Sequence, residues 1–543
     1  MILDMQPSDS PVTVAVGEGS GAPDWWRRGA IYQIYPRSFA DSDGDGVGDL
    51  EGIRGRLEYV ASLGVEAIWL SPIFPSPMVD FGYDVSDYCD IDPIFGSLTD
   101  FDRLVADAHA HGIRVVLDWV ANHTSQEHPW FLESRSSRDN PKRDWYVWAD
   151  PAPGGGPPND WTSAFTAIAP AWTLDDATGQ YYLHSFAPEQ PDLNWDNPEV
   201  EAAMRDTARF WLDRGVDGLR LDAIIKIAKD PRLSNTVGAA RPSHEDWETI
   251  HDRLGRLRAV LDEYPDRMMV GELWAKDLPR FVEFLTGGGM HMAHNFEFVD
   301  LPWDASLYRT FIDDFHTRTA GLADAWPCWF LENHDQPRVA SKFDDAGLGA
   351  ARARAVLLMI YALRGTPFVY QGQELGLPDA HVPPERVVDV DGRDPERAPM
   401  PWLRPSAAGP GAGFTTGEPW LPIVEEAETL SVQAQEADRR STLWLTRRIA
   451  ELRAKTRALQ DGSQRTVDSG ADLLAWIREG AGERLLVVMN FATGSRSPVI
   501  PAELPGVGHL VLGSDPERDG GDAGPVDLRN LDLAPGEAVL IRI

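Results

Sequence analysis

Val216-Asp217-Gly218-Leu219-Arg220-Leu221-Asp222-Ala223, residues 216–223, is a short apolar run with charges set into it. Val216, Leu219 and Leu221 supply the apolar content of a buried strand, and Gly215 ends the helical pattern before it. Arg220 and Asp222 stand two apart, so on an extended chain they point to the same side. Charges inside so short a strand cost free energy unless they are paired or functional. A guanidinium beside a carboxylate favours the ionised form, and an ionised carboxylate at the end of a buried strand suits a nucleophile. The same two residues also suit a buried ion pair that fixes register, and on this stretch alone the two readings stand level.

Working outward, the same rhythm recurs on both sides. Strand-like runs are predicted at 29–38, 65–72 and 113–120 upstream, and at 267–274, 291–298, 326–332 and 367–371 downstream. Helical periodicity fills most of the gaps, at 50–64, 98–112, 198–215, 247–263, 305–318 and 351–364. Helix, glycine, strand is the order of a parallel α/β sheet, and eight such strands close into a (β/α)8 TIM barrel. The rhythm breaks over 121–195, which is rich in Trp, Pro, Gly, Asn and Asp. A structureless loop of that length is improbable, so an inserted subdomain after strand 3 is expected. From about 457 short alternating strands such as LLAWIR and RLLVVMNF take over, and a separate all-β domain is expected there. The expected division is a flexible tail over 1–24, a barrel over 25–120 and 196–456, the insert over 121–195, and a C-terminal β-sandwich over 457–543.

The chain has 543 residues and a formal charge of −35. That balance excludes a nucleic acid or an anionic membrane surface as partner, since both demand a basic face. No apolar run approaches the length of a membrane span. Residues 1–24 lack the basic and apolar regions of a signal peptide, so a cytoplasmic location is expected. Cys89 and Cys328 lie far apart, outside any metal-binding spacing, and are expected as buried thiols.

Active sites of such barrels are built at the C-terminal strand ends. Strand three ends in Asp118 and runs on to Asn122-His123, strand four in Arg220 and Asp222, strand five in Glu272, and strand seven in Asn333-His334-Asp335. Each alone reads as a satisfied buried polar group; together they read as a site. Convergent carboxyls in unequal surroundings suit glycoside hydrolysis, which needs one ionised nucleophile and one protonated acid. Separately, 41–49 (DSDGDGVGD) sets Asp41, Asp43, Asp45 and Asp49 among glycines, with the Val47 carbonyl as a further oxygen. It reads as a cation loop or as an acidic solvated turn. Gly52 stands where an EF-hand needs Glu, so an EF-hand is not expected.

DWVANH (118–123), GLRLDA (218–223), GELW (271–274) and FLENHD (330–335) resemble the four signature segments of the α-amylase family of glycoside hydrolases, in order and near its spacing. IYQIYPRSFADSDGDGVGDL, GYDVSDY (82–88) and QPDLNW (190–195) resemble its α-glucosidase and oligo-1,6-glucosidase branch. The resemblance runs from Asp24 to the C-terminus. It implies Asp222 as nucleophile, Glu272 as general acid/base, and Asp335 as the acid that grips the ring hydroxyls. It implies His123, Arg220 and His334 around the reacting sugar, and Asp80 and Tyr83 at its non-reducing end. Arg397 matches the arginine that helps close the pocket, with Arg393 its close competitor, and Ala398 departs from the family's usual Thr. Phe165 and Phe186 are expected as an aromatic wall from the insert, although 162–172 departs from the branch's Phe-Gly-Gly pattern. The 41–49 loop matches the branch's structural Ca2+ or Mg2+ site, and no organic cofactor is implied. The expected function is a retaining, exo-acting α-glucosidase on short oligosaccharides. An α-1,4 preference is expected, because Ala223 stands where α-1,6 members carry Val. A transglucosidase, an oligo-1,6-glucosidase or a sucrose-converting relative would share the site. A non-catalytic scaffold protein is the remaining alternative, set against the presence of all three acids. A monomer or a homodimer is expected.

Overall fold

Two helices, Leu98–Ala110 and Pro198–Asp213, stop just before Gly112 and Gly215. These glycines have φ of 74° and 95°, left-handed values that a Cβ resists, and there the chain turns into a strand. The computed structural model describes residues 24–165, 168–237, 243–275, 277–322, 325–518 and 524–543. Apart from Asp24, the tail expected over 1–24 lies outside the described residues. Eight strands follow the predicted rhythm: β1 (Ile31–Ile34), β2 (Ala67–Leu70), β3 (Arg114–Val120), β4 (Gly218–Asp222), β5 (Met268–Leu273), β6 (Met292–Asn295), β7 (Cys328–Trp329) and β8 (Thr366–Tyr370). They form one sheet in the order β7-β8-β1-β2-β3-β4-β5-β6, every ladder parallel. The sheet curls into a barrel. Among the described residues no backbone ladder joins β6 to β7, and the Cys328 thiol donates across that seam to the Ala293 carbonyl at 3.0 Å.

Alternation along each strand sorts the side chains. Val115, Leu117, Leu219, Leu221 and Met269 face the surrounding helices. Ile31, Trp69, Val116, Met268, Val270, Met292 and Phe368 fill the barrel. Two residues beyond Val116 and Val270, on the same inner face, stand Asp118 and Glu272, so the apolar plug gives way to acids at the C-terminal mouth.

Three elements differ from expectation. The helix predicted over 50–64 divides into Leu50–Arg54 and Leu57–Ser62. Strand 326–332 shrinks to Cys328–Trp329, because Phe330 to Asp335 leave the ladder to carry polar groups to the mouth. Strand 291–298 ends at Asn295, whose side chain caps a short helix, Phe296–Val299. The insert after β3 holds the helix Pro129–Ser136 and a small antiparallel sheet of Trp148–Ala149, Gln180–Leu183 and Trp172–Asp175. Trp161, Ala171, Trp172 and Leu183 form a core of its own.

In place of a two-sheet sandwich, the C-terminal residues form a single antiparallel sheet. Its strands are β9 (Ser463–Val467), β10 (Leu473–Gly480), β11 (Glu483–Asn490), β12 (Val507–Gly513), β13 (Gly524–Asp527) and β14 (Ala538–Arg542), in the order β9-β10-β11-β14-β12-β13. One face, with Trp476, Leu485, Val487 and Leu540, joins the barrel's core. The other, with Ile477, Leu486, Val488 and Ile541, is covered by Leu504, Leu531 and Leu533 from loops and by Leu528 from a single 3-10 turn, which replace a second sheet.

Candidate active site

The mouth of the barrel opens into a cavity of about 400 Å³. Asp222, at the end of β4, and Glu272, near the end of β5, both line it. Fully buried Arg220 hangs between them, donating to Asp222 Oδ1 at 2.7 Å and to Glu272 Oε2 at 2.7 Å. It also reaches Asp118 Oδ1 at 2.9 Å, one strand away. Burial raises the Asp222 carboxyl, the neighbouring Glu272 raises it further, and Arg220 opposes both; it stays well above the usual carboxylate range. Burial pushes Asp118 up to about 6 against the pull of Arg220. The other oxygen of Glu272 accepts from the Trp274 indole at 2.8 Å.

Asp335 is held differently. Burial would raise its carboxyl, but the His334 N–H, Arg393 and Arg397 outweigh burial and hold it below the usual range. Arg393 lies 3.1 Å and Arg397 2.8 Å from Asp335 Oδ1. His334 Nε2 lies 3.0 Å from Asp335 Oδ2 and 2.6 Å from the Tyr83 hydroxyl. Gln33 Nε2 donates to His334 Nδ1 at 2.8 Å, which leaves the ring proton on Nε2. Burial lowers the His334 pKa to about 3, so the ring is neutral.

At the closed end Arg393 donates to Asp80 Oδ1 at 2.7 Å, and Asp80 Oδ2 accepts from Gln190 at 3.0 Å. Gln190 also lies 3.1 Å from His123 Nε2, so the QPDLNW stretch fastens the insert to the strand ends. Phe165 and Phe186 meet edge to face at 5.5 Å, and His123 packs on Phe186 at 5.1 Å.

Of the predicted residues, Asp80, Tyr83, His123, Phe165, Phe186, Asp222, Glu272 and Asp335 line the cavity. Arg220 and His334 stand behind it, fully buried, as holders of the acids. The two arginines change places: Arg393 lines the cavity, and Arg397 sits behind Asp335, donating to the His334 carbonyl at 2.7 Å. The loop fold decides this, since Asp394 bends back to accept from the Val388 and Asp389 amides and turns Arg393 inward. Sequence reasoning missed Trp274, Lys226 and Glu245, which also line the cavity. Trp274 carried a signal, directly after Glu272 in GELW; Glu245 lies in a stretch without periodicity.

In the 41–49 loop, Asp41, Asp43 and Asp49 each bring one carboxylate oxygen within 4.8 Å of the others. The Asp45 carboxylate turns instead to the Val47 amide at 2.8 Å. Three convergent oxygen donors fit a hard divalent cation.

Comparison with known proteins agrees with this geometry. The family model described as "Alpha amylase, catalytic domain" matches residues 33–462. A protein named probable alpha-glucosidase from Rhizobium meliloti (strain 1021) is 42% identical over an alignment of 514 residues, and the match covers 88% of this chain and 91% of that one. An oligo-1,6-glucosidase from Heyndrickxia coagulans is 37% identical over an alignment of 528 residues, and the match covers 87% of this chain and 93% of that one. The crystal structure of the alpha-glucosyl transfer enzyme XgtA is similar with a TM-score of 0.87 at 40% identity, covering 96% of this chain and 99% of that one.

Proposed function

The chain belongs to the α-amylase family of glycoside hydrolases, and on that premise we propose that it is a retaining, exo-acting α-glucosidase of short oligosaccharides. The observation that carries the reading is the set of contacts at the mouth: two carboxyls on one guanidinium, in a cavity shut at one end by the Asp80–Arg393–Asp335 bridges. A shut end admits one terminal sugar. Asp222 attacks its anomeric carbon while Glu272 protonates the departing oxygen; Glu272 then takes a proton from water, which releases the sugar from Asp222. Asp335, kept ionised by its arginines, accepts hydrogen bonds from ring hydroxyls and stabilises positive charge that develops on the ring. Arg220 keeps the Asp222 and Glu272 carboxyls oriented through both steps.

Asp41, Asp43 and Asp49 would hold a structural Ca2+ or Mg2+, whose role is to tie the loop after β1. An α-1,4 preference follows from the room left by Ala223, which lines the cavity beside Asp222. One observation favours a second reading, transfer of the glucosyl group to a sugar hydroxyl. Trp274, 46% exposed, stacks on Phe296 at 3.8 Å and offers a flat platform beside Glu272. Proton NMR of the glucose first released from 4-nitrophenyl α-glucoside, whose aglycone contributes no sugar, tests the proposal. The α-anomer of glucose is expected at the earliest time points, and an initial β-anomer would overturn retention. Maltose, isomaltose and sucrose compared at low and high concentration separate hydrolysis from transfer.

A further inference from the structure

The cavity has two unlike ends. Asp80, Tyr83 and Arg393 close one around the terminal sugar. Of the other lining residues, Ile225 and Lys226 follow Asp222 in the chain, Lys226 holds Glu245, and Trp274 donates to Glu272 and stacks on Phe296; on the α-glucosidase reading they form the end that receives the leaving group. The charges here are already committed. Lys226 Nζ lies 2.7 Å from Glu245 Oε2, with side chains only 12% and 21% exposed. Burial would raise the Glu245 carboxyl, but Lys226 and His244 outweigh it and keep it ionised. Arg393, the cavity's other lining cation, is spent on Asp80, Asp335 and Asp389. Six carboxyl groups line the cavity: Asp80, Asp222, Glu245, Glu272, Asp335 and Asp391.

We propose that the Lys226–Glu245 ion pair makes the leaving-group end a site for uncharged sugars and that it rejects phosphorylated α-glucosides. This rests on reading the cavity as an α-glucoside site. A sugar hydroxyl suits the pair, because it can donate to Glu245 and accept from Lys226 at once. A phosphate dianion does not. To use Lys226 it must break a partly buried ion pair and leave Glu245 uncompensated. It must also approach the Asp222 and Glu272 carboxyls where the low local dielectric strengthens repulsion.

Two aryl α-glucosides isolate charge from sugar identity: 4-methylphenyl α-glucoside and the α-glucoside of 4-hydroxyphenyl phosphate. The wild-type kcat/KM is expected to favour the neutral compound about 100-fold or more at low salt, and the gap is expected to narrow as ionic strength rises. Glu245→Gln frees the ammonium and should reduce the neutral-to-anionic ratio roughly tenfold; Lys226→Met should enlarge it. Each ratio is read within one enzyme, so a smaller folded fraction cancels. Equal or better cleavage of the phosphate compound by the wild type, or an unchanged ratio in Glu245→Gln, would overturn the inference while the α-glucosidase reading survives. Failure to cleave either compound would overturn both.

Discussion

Ala223 holds φ of 42° and ψ of 40° directly after Asp222, in the left-handed region that non-glycine residues seldom occupy. Its amide also donates to Glu272 Oε2 at 3.1 Å, so the unusual turn joins the ends of β4 and β5. A Val here would add two methyls to the cavity wall and a β-branch to a conformation that resists it. Ala223→Val is expected to narrow or reverse the maltose-to-isomaltose ratio of kcat/KM, a change worth about 10–200-fold, and to lower the melting temperature. Wild-type preference for isomaltose would contradict the first expectation. Asp118 offers a test by pH. Its charge raises the Asp222 carboxyl and competes for Arg220. On the proposed mechanism Asp222 must be ionised to attack, so the acid limb of kcat/KM against pH falls where that carboxyl is protonated. Asp118→Asn removes the raising charge, and the acid limb should move to lower pH; a limb that stays or moves up would defeat the assignment. At this scale the sequence was legible wherever a residue stood at a strand end. Asp222 and Glu272 followed from strand periodicity and motif, and Asp335, in the loop past β7, from its motif alone. Arg393 and Arg397, four apart on an irregular loop, could not be told apart until the Asp394 turn was seen.

Among the elements, the 41–49 loop does more than gather acids. Asp49 caps the helix Leu50–Arg54 through the Gly52 amide, and Asp41 accepts from Thr415 at 2.5 Å, while the Asp41 and Trp420 amides bond Phe414 and Gly46 across to the segment after β8. The loop therefore clasps the first and last parts of the barrel. A cation bound there is expected to add stability in proportion to its binding, as any ligand of the native state does. Chelator should lower the melting temperature measured by calorimetry and leave kcat nearly unchanged below the transition. Complete loss of activity in chelator with the fold intact would refute a purely structural role. The βα rhythm was legible because helix and strand periods differ. The two-residue β7 was not, because Trp326 to Glu332 looks like one apolar run and only the turn outward of the polar residues after Trp329 ends the ladder.

Across the whole molecule, the C-terminal sheet completes the barrel's helical layer. Trp476 and Arg478 both donate to the Ala362 carbonyl, at 3.3 and 2.8 Å, at the end of the helix Gly349–Ala362. Arg453 donates to the carbonyls of Arg28, Tyr361 and Gly365 around the entry to β8. Cations at a helix C-terminus satisfy carbonyls that the helix leaves bare. The sequence announced an all-β region but not its single layer, since the covering leucines lie in loops and one 3-10 turn without strand periodicity.

The open seam between β6 and β7 has a kinetic consequence. A barrel closed on every side exchanges its inner amides only by unfolding, whereas one with an unlatched edge can breathe there. Cys328 lies on that edge, 4% exposed, with burial raising its thiol pKa. Cys89 is half-buried elsewhere, its thiol pushed up to about 11. A small thiol reagent should modify Cys89 first and Cys328 much later, at a rate set by how often the seam parts. A ligand in the cavity should slow the second event alone, because the loop after β7 carries Asp335 and a filled mouth draws that edge shut. A ligand that slowed both thiols alike, or neither, would mean that the seam is not where this barrel opens.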